Sequence, residues 1–239
     1  MRIRIVLDLK NKLIPINYRS ILAGIVYSML PLNENTTILH NEGIKLNNRK
    51  FKLLTFSEIY GDAIYNKNKK VLLFHSSGCF DVTSFNDEII LNIVKYIEDN
   101  NYIIFKNQYI KIIKYDILND FCNNNEKVTF YTVSPITIYK TINKFVKYYN
   151  PNEKEFKEAI INNIRKKYFL CYNRNAANFD ILEIEDVVKK LVYFRNTIYE
   201  AYHLSITFKG LNPEIQKIIM TTGLGPKNAL GFGMVAKSK

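Results

Sequence analysis

The stretch Gly223-Leu224-Gly225-Pro226-Lys227-Asn228-Ala229-Leu230-Gly231-Phe232-Gly233 constrains this chain more than any other. It holds four of only nine glycines within eleven residues, in the pattern G-x-G-x5-G-x-G, with a lysine inside. Glycine admits positive φ and lets the backbone approach a bulky neighbour. Two readings follow: successive amides forming a nest for a phosphate, or a tight turn that needs glycine for geometry alone. A P-loop would place Ser or Thr after the lysine, but Asn228 stands there, and a dinucleotide fingerprint spaces its glycines differently. Locally, Asn212 suits an N-cap, Pro213 the first helical position, Ile215, Ile218 and Ile219 an apolar stripe, and Gly223 a helix stop. Phe232 to Ala236 then reads as a last strand, so the glycines join a short helix to a strand.

At 239 residues the chain can build one large domain or two smaller ones, and 47% hydrophobic content can fill their cores. No stretch approaches the roughly 20 apolar residues of a membrane span, and the opening residues carry no signal-peptide apolar region, so a cytoplasmic protein is expected. Cys79, Cys122 and Cys171 are odd in number and widely spaced, against a disulfide framework or a zinc site. Thirty-four basic against twenty-two acidic residues give a net charge of +12. Part of the lysine excess goes with an AT-rich coding composition crowded with Ile, Asn and Lys; the remainder favours a polyanionic partner such as nucleic acid.

The periodicities arrange themselves as two similar halves. Ile3 to Leu9 reads as a strand and Asn17 to Leu30 as a helix, with Ile21, Ile25 and Met29 on one stripe. Lys52 to Ile59 and Val71 to Val82 carry strands around a polar turn, Asn86 to Glu98 a second helix, and Tyr102 to Tyr115 a strand or hairpin. That order is β-α-β-β-α-β. A polar linker over 119–127 separates the first half, 1–118, from the second, 128–239. There Val128 to Ser134 is a strand, Asn152 to Phe169 a helix and Tyr199 to Lys209 a strand, while Ile181 to Phe194 suits helix or strand equally. The expected architecture is α+β, two ferredoxin-like domains in tandem.

The ending G-L-G-x5-G-F-G-M-V resembles the glycine-rich signature of the repeat-associated RNA-binding (RAMP) superfamily, specifically the CRISPR-associated endoribonucleases that cut precursor CRISPR RNA within its repeats. The opening strand Met1 to Ile5, the helix Ile21 to Tyr27, the block Leu39-His40-Asn41-Glu42-Gly43, the segment Phe51 to Ser57 and Thr132-Val133-Ser134-Pro135-Ile136 agree with it, over nearly the whole length. The resemblance implies CRISPR repeat RNA as partner, single-stranded or as a hairpin, and association with other CRISPR interference-complex proteins.

RNA can be cut without metal or cofactor when its own 2′-hydroxyl attacks the adjacent phosphate, given a base, an acid and positive charge near the phosphorane. A His, a Tyr and a Lys meet those needs. Of three histidines, His75 and His203 lie in strand-like apolar runs and read as structural, whereas His40 falls between a polar loop and the Gly43 turn. The resemblance implies Tyr27, His40 and Lys52 as the catalytic set: His40 as general acid or base, Tyr27 as its partner and Lys52 as the electrostatic stabiliser. Metal-dependent cutting would need clustered carboxylates, and Asp62, Asp81, Asp87 and Glu88 are scattered. RNA contacts are expected at Arg49 and Lys50, at Lys227, and at the loop glycines Gly223, Gly225, Gly231 and Gly233, with Arg165-Lys166-Lys167 as a further basic cluster. A non-catalytic RNA-binding subunit, and a basic module whose loop grips another protein, are the alternatives.

Overall fold

The computed structural model describes residues 1–31, 44–46, 49–119 and 122–238. The first unit comprises β1 (Arg2–Leu7), β2 (Leu13–Pro15), α1 (Arg19–Ser28), β3 (Ile44–Leu46), β4 (Arg49–Phe51), β5 (Leu54–Phe56), β6 (Tyr60–Asn66), β7 (Val71–Ser84), α2 (Asp87–Asn100), β8 (Tyr102–Phe105) and β9 (Gln108–Leu118). The second comprises β10 (Lys127–Thr132), β11 (Tyr139–Ile142), β12 (Phe145–Tyr148), α3 (Lys154–Tyr172), β13 (Asp180–Phe194), β14 (Thr197–Lys209), α4 (Pro213–Thr222) and β15 (Val235–Lys237).

Both units have the ferredoxin-like strand arrangement. In the first sheet β9, β1, β7 and β5 lie side by side, all antiparallel, with β8 added at one edge. In the second the order is β15, β10, β14, β13, again antiparallel. Numbered within each β-α-β-β-α-β repeat, each sheet runs fourth, first, third, second. The inward residues Ile3, Ile5 and Leu7 of β1 are fully buried with Leu22 and Val26 of α1 and Ile89, Ile90 and Ile93 of α2. A second core gathers Phe130, Ile206 and Phe208 with Phe156, Ile160 and Ile164 of α3 and Ile215, Ile218 and Ile219 of α4.

The helix ends follow their local chemistry. The Asn86 side chain accepts the Glu88 amide at 3.1 Å at the start of α2, and Asn101 ends that helix at φ 47°. Asn212 accepts the Ile215 amide at 2.8 Å ahead of Pro213. Among the described residues no helix is long and apolar enough to cross a membrane.

Several boundaries differ from the sequence reading. Residues 181–194 are strand: pairing with β14 runs their whole length and is interrupted by a bulge at Asp186 (φ 52°), whose carboxylate accepts the Ser205 hydroxyl at 2.9 Å. The expected last strand shrinks to Val235–Lys237, because Gly231 and Gly233 sit at φ 80° and 71° and hold Phe232 in the preceding turn. Tyr102 to Leu118 is a hairpin, and an unforeseen second hairpin, β11–β12, lies between β10 and α3. The polar connector is tied down: Gln216 of α4 donates to the Asn123 carbonyl at 2.6 Å.

The glycine loop is the joint between the units. Its Gly231 carbonyl accepts from the Arg19 guanidinium of α1, and its Phe232 carbonyl accepts from Thr55 of β5 at 3.1 Å. Arg2 of β1 reaches across to the Val235 carbonyl at 2.7 Å. Phe194, at the far end of β13, inserts into the first core.

Candidate active site

A cleft of about 980 Å³ opens between the units. Lys50 to Leu54 form one wall, α3 from Glu155 to Lys167 another, the base of the β11–β12 hairpin a third, and Pro226 to Leu230 of the glycine loop the floor. Six lysines line it (Lys50, Lys52, Lys140, Lys166, Lys167 and Lys227) against two acids, Glu155 and Glu158. Glu158 is itself engaged by Lys154 at 3.3 Å. The lining is thus cationic, and charges in a concave wall reinforce one another toward an anionic occupant.

Of the three expected catalytic residues, Lys52 lines this cleft and Tyr27 lies against two of its lining residues, Lys52 and Ala229. Tyr27, in the last turn of α1, is half-buried, and its hydroxyl donates to the Ala229 carbonyl at 3.4 Å. The Lys52 ammonium stands 4.8 Å from the centre of the Tyr27 ring, a cation–π contact. Burial pushes the Tyr27 phenol above its ordinary value. Burial, seconded by the charge of Lys50, pulls Lys52 below the usual lysine range. A phenol held protonated is a hydrogen-bond donor, and a partly desolvated ammonium gains from an adjacent phosphate. His40 lies outside the described residues. Lys50 is exposed at the cleft wall, and the backbone of Arg49 pairs with Leu46 in the β3–β4 hairpin.

The glycine loop corrects the nest reading. Gly223, Gly225, Gly231 and Gly233 are all buried. The Gly223, Gly231 and Gly233 amides donate to the Ile219, Asn228 and Pro135 carbonyls at 3.0, 2.8 and 2.9 Å, so they are committed inside the fold. A Cβ at Gly231 would overlap the Phe56 ring of the first unit, and one at Gly233 the Leu224 carbonyl. The glycines therefore permit close backbone packing, and the half-exposed Pro226 and Lys227 are what the loop presents outward. Lys227 extends over the Tyr139 and Tyr199 rings at 5.9 and 5.8 Å.

Lys167 is a second correction. It is 2% exposed within α3, and it donates to the Gly223 carbonyl and the Asn228 side-chain oxygen, both at 2.7 Å, with the Thr222 and Gly225 carbonyls at 3.2 and 3.4 Å. Burial lowers its ammonium to about 7, with Cys171 opposing the shift. Asn228 completes the lock by donating to the Leu224 and Phe232 carbonyls. The place of Lys167 on the Phe156–Ile160–Ile164 stripe is the signal in the sequence: a lysine at a core position needs partners.

His203 and Glu58 form a network that sequence reasoning missed. The Glu58 carboxylate takes Arg19 at 2.6 Å and His203 Nε2 at 3.2 Å, and His203 Nδ1 meets the Thr132 hydroxyl at 3.1 Å. Burial pushes the Glu58 carboxyl up, but the His203 hydrogen bond and the Arg19 charge outweigh it and hold the group below its ordinary value. His75 is exposed on β7.

Two ferredoxin-like units joined by a glycine-rich loop, with a cationic cleft between them, define the class. The family model described as CRISPR associated protein Cas6, C-terminal, matches residues 118–237, just over half the chain. The chain belongs to the Cas6 family. It is similar to the CRISPR-associated endoribonuclease Cas6 of Pyrococcus furiosus, at 26% identity over 226 residues covering 93% of this chain and 83% of that protein. It is similar also to the CRISPR-associated endoribonuclease Cas6 1 of Methanocaldococcus jannaschii, at 27% identity over 243 residues covering 98% and 92%. A solved structure titled CRISPR associated protein Cas6 superposes with a TM-score of 0.78 at 26% identity, covering 100% of this chain and 99% of its own.

Proposed function

We propose that this chain is an endoribonuclease that cleaves precursor CRISPR RNA within its repeats without a metal ion, leaving a 2′,3′-cyclic phosphate (or its opened product) and a 5′-hydroxyl. The observation that carries this reading is the meeting of Tyr27 and Lys52 at the wall of a lysine-lined cleft. The curated relatives it resembles are named as Cas6 endoribonucleases.

In the proposed reaction the 2′-hydroxyl oxygen bonds to phosphorus as its proton passes to a base, and the bond to the 5′-oxygen breaks as that oxygen takes a proton. His40 is assigned the proton transfer, since an imidazole titrating near 6.5 serves as either acid or base at neutral pH. Tyr27, with its phenol held protonated by burial, donates a hydrogen bond. Lys52 places its charge beside the phosphorane. Arg49, Lys50 and Lys227 take neighbouring phosphates, and Gly223, Gly225, Gly231 and Gly233 support Lys227 from behind.

Single-turnover cleavage of labelled repeat RNA tests the roles. His40→Ala is expected to lower the rate constant at saturating RNA by about 100-fold or more, and Lys52→Ala by a comparable factor, with RNA affinity changed far less. Tight binding by the wild type with no cleavage would instead assign the chain to the non-catalytic RNA-binding class.

A further inference from the structure

Phe145 is the most exposed large apolar side chain among the described residues, at 80%. It sits where the β11–β12 hairpin turns, after Asn143 and Lys144 at φ 47° and 69°, the pair of positive values a two-residue primed turn requires. A bare aromatic at such a tip adds nothing to the fold.

The pairing sorts the hairpin into two faces. Tyr139 opposes Tyr148 and Thr141 opposes Val146 on one; Lys140 opposes Lys147 and Ile142 opposes Phe145 on the other. The tyrosine face is turned to the protein: the two rings touch at 5.8 Å, Tyr148 donates to the Ile198 carbonyl at 3.2 Å, and Lys227 lies over Tyr139. The other face sets two cations beside two apolar side chains, all exposed. The ten residues from Tyr139 to Tyr148 hold three lysines and no acid. Among the described residues, Lys147 is the one of the three that pairs with a carboxylate, Glu153 at 3.6 Å. The hairpin base, Tyr139 to Thr141, lines the cleft, and Phe145, paired with Ile142, stands about 3 Å beyond Thr141 and about 10 Å beyond Tyr139 along the strands.

We infer that the β11–β12 hairpin is an RNA-gripping arm, in which Phe145 stacks on a base of the strand leaving the cleft while Lys140 and Lys144 neutralise the flanking phosphates. This rests on the RNA reading above. A single-stranded nucleic acid is the occupant the surface favours, because it combines a flat apolar base face with a negative charge at each step, and the function proposed above makes that strand RNA. Aromatic stacking and a cationic track are the two components of sequence-tolerant strand binding.

The test measures binding of fluorescently labelled repeat RNA by the full chain, for the wild type, Phe145→Ala, Phe145→Trp and Lys140→Ala/Lys144→Ala. These side chains are exposed, so the variants should unfold at the wild-type midpoint. Phe145→Ala is expected to weaken binding by roughly 5- to 100-fold and Phe145→Trp to restore it. The lysine pair should reduce the slope of log affinity against log salt by about 1.4. For Phe145→Ala, whose side chain lies outside the cleft lining, the single-turnover rate at saturating RNA should not change. RNA carrying abasic sites locates the stacked base: at one position base removal should weaken the wild type but leave Phe145→Ala unaffected. Wild-type affinity in Phe145→Ala would overturn the inference while leaving the nuclease reading intact. A Phe145→Ala variant that lost self-association in light scattering and kept RNA affinity would overturn it too, assigning the tip to a protein contact. Absence of RNA binding by the wild type would bring down the function reading first.

Discussion

Replacing Gly233 by alanine separates the two uses a glycine loop can have. A methyl there would overlap the Leu224 carbonyl oxygen and stand 3.0 Å from the Asn228 amide nitrogen, at a backbone φ of 71°. The clash is with backbone, so no rotamer change relieves it. The left-handed conformation costs a non-glycine residue about 1–2 kcal/mol. Moving Leu224 away breaks the hydrogen bond its N–H donates to the Gly233 carbonyl (2.7 Å) and strains the one its carbonyl accepts from the Asn228 side chain (3.1 Å). Each buried polar group left unpaired adds about 1–3 kcal/mol. With both groups of the broken bond unpaired, the sum is roughly 3–8 kcal/mol, a large share of a typical domain's stability. Gly24→Ala is the control, because that glycine is exposed inside α1 with nothing within 4 Å of a built methyl. It should stabilise by about 0.5–1 kcal/mol. Urea denaturation followed by circular dichroism gives both values. A Gly233→Ala protein within about 1 kcal/mol of wild type, but impaired in RNA binding, would refute the packing argument and restore the amide nest.

Two further predictions concern titration. Lys167 is held at about 7 when folded against 10.5 when unfolded, so between those pH values the unfolded chain binds the extra proton and stability rises with pH. Below about 7 the group is protonated in both states and contributes no slope. Lys167→Met should remove that rise from stability measured across this range. Glu58 is the reverse case: its folded value lies below 4.5, so its contribution is full above 4.5 and is lost as pH falls through the folded value. Glu58→Gln should remove that loss from the acid limb. At neutral pH it should cost about 1–3 kcal/mol, moderated because the carboxylate is partly open to solvent while its partner Arg19 is buried.

The repeated β-α-β-β-α-β order could be read from the chain because its helices carry apolar stripes at helical spacing, and the last of them also an explicit start signal, Asn212-Pro213. Residues 181–194 could not be assigned, since their alternation breaks at Asp186 and only the partner strand β14 decides the matter. The β11–β12 hairpin was equally hidden, because both of its faces are mostly exposed and it lacks the inward period of a buried strand. The resemblance implied Tyr27 and Lys52 as site residues, and the fold sets the Lys52 ammonium 4.8 Å from the Tyr27 ring centre; the catalytic roles are the proposal made above. The glycines announced themselves as exceptional without revealing their neighbours, for Phe56 lies 175 positions before Gly231 and only the folded joint brings them together. Lys167 read as part of a surface cluster until its position on a core stripe was combined with the four oxygens around it.

The central claim, cleavage driven by the RNA's own 2′-hydroxyl, is tested most directly by incubating the purified chain with 5′-labelled repeat RNA in EDTA, beside the same RNA carrying a single 2′-deoxy sugar at the cut. The account predicts specific cleavage of the all-ribose strand, with a cyclic or opened phosphate on the upstream product, and none of the deoxy strand at that position. Cutting of the deoxy strand, or cutting that returns only when magnesium is added, would contradict it.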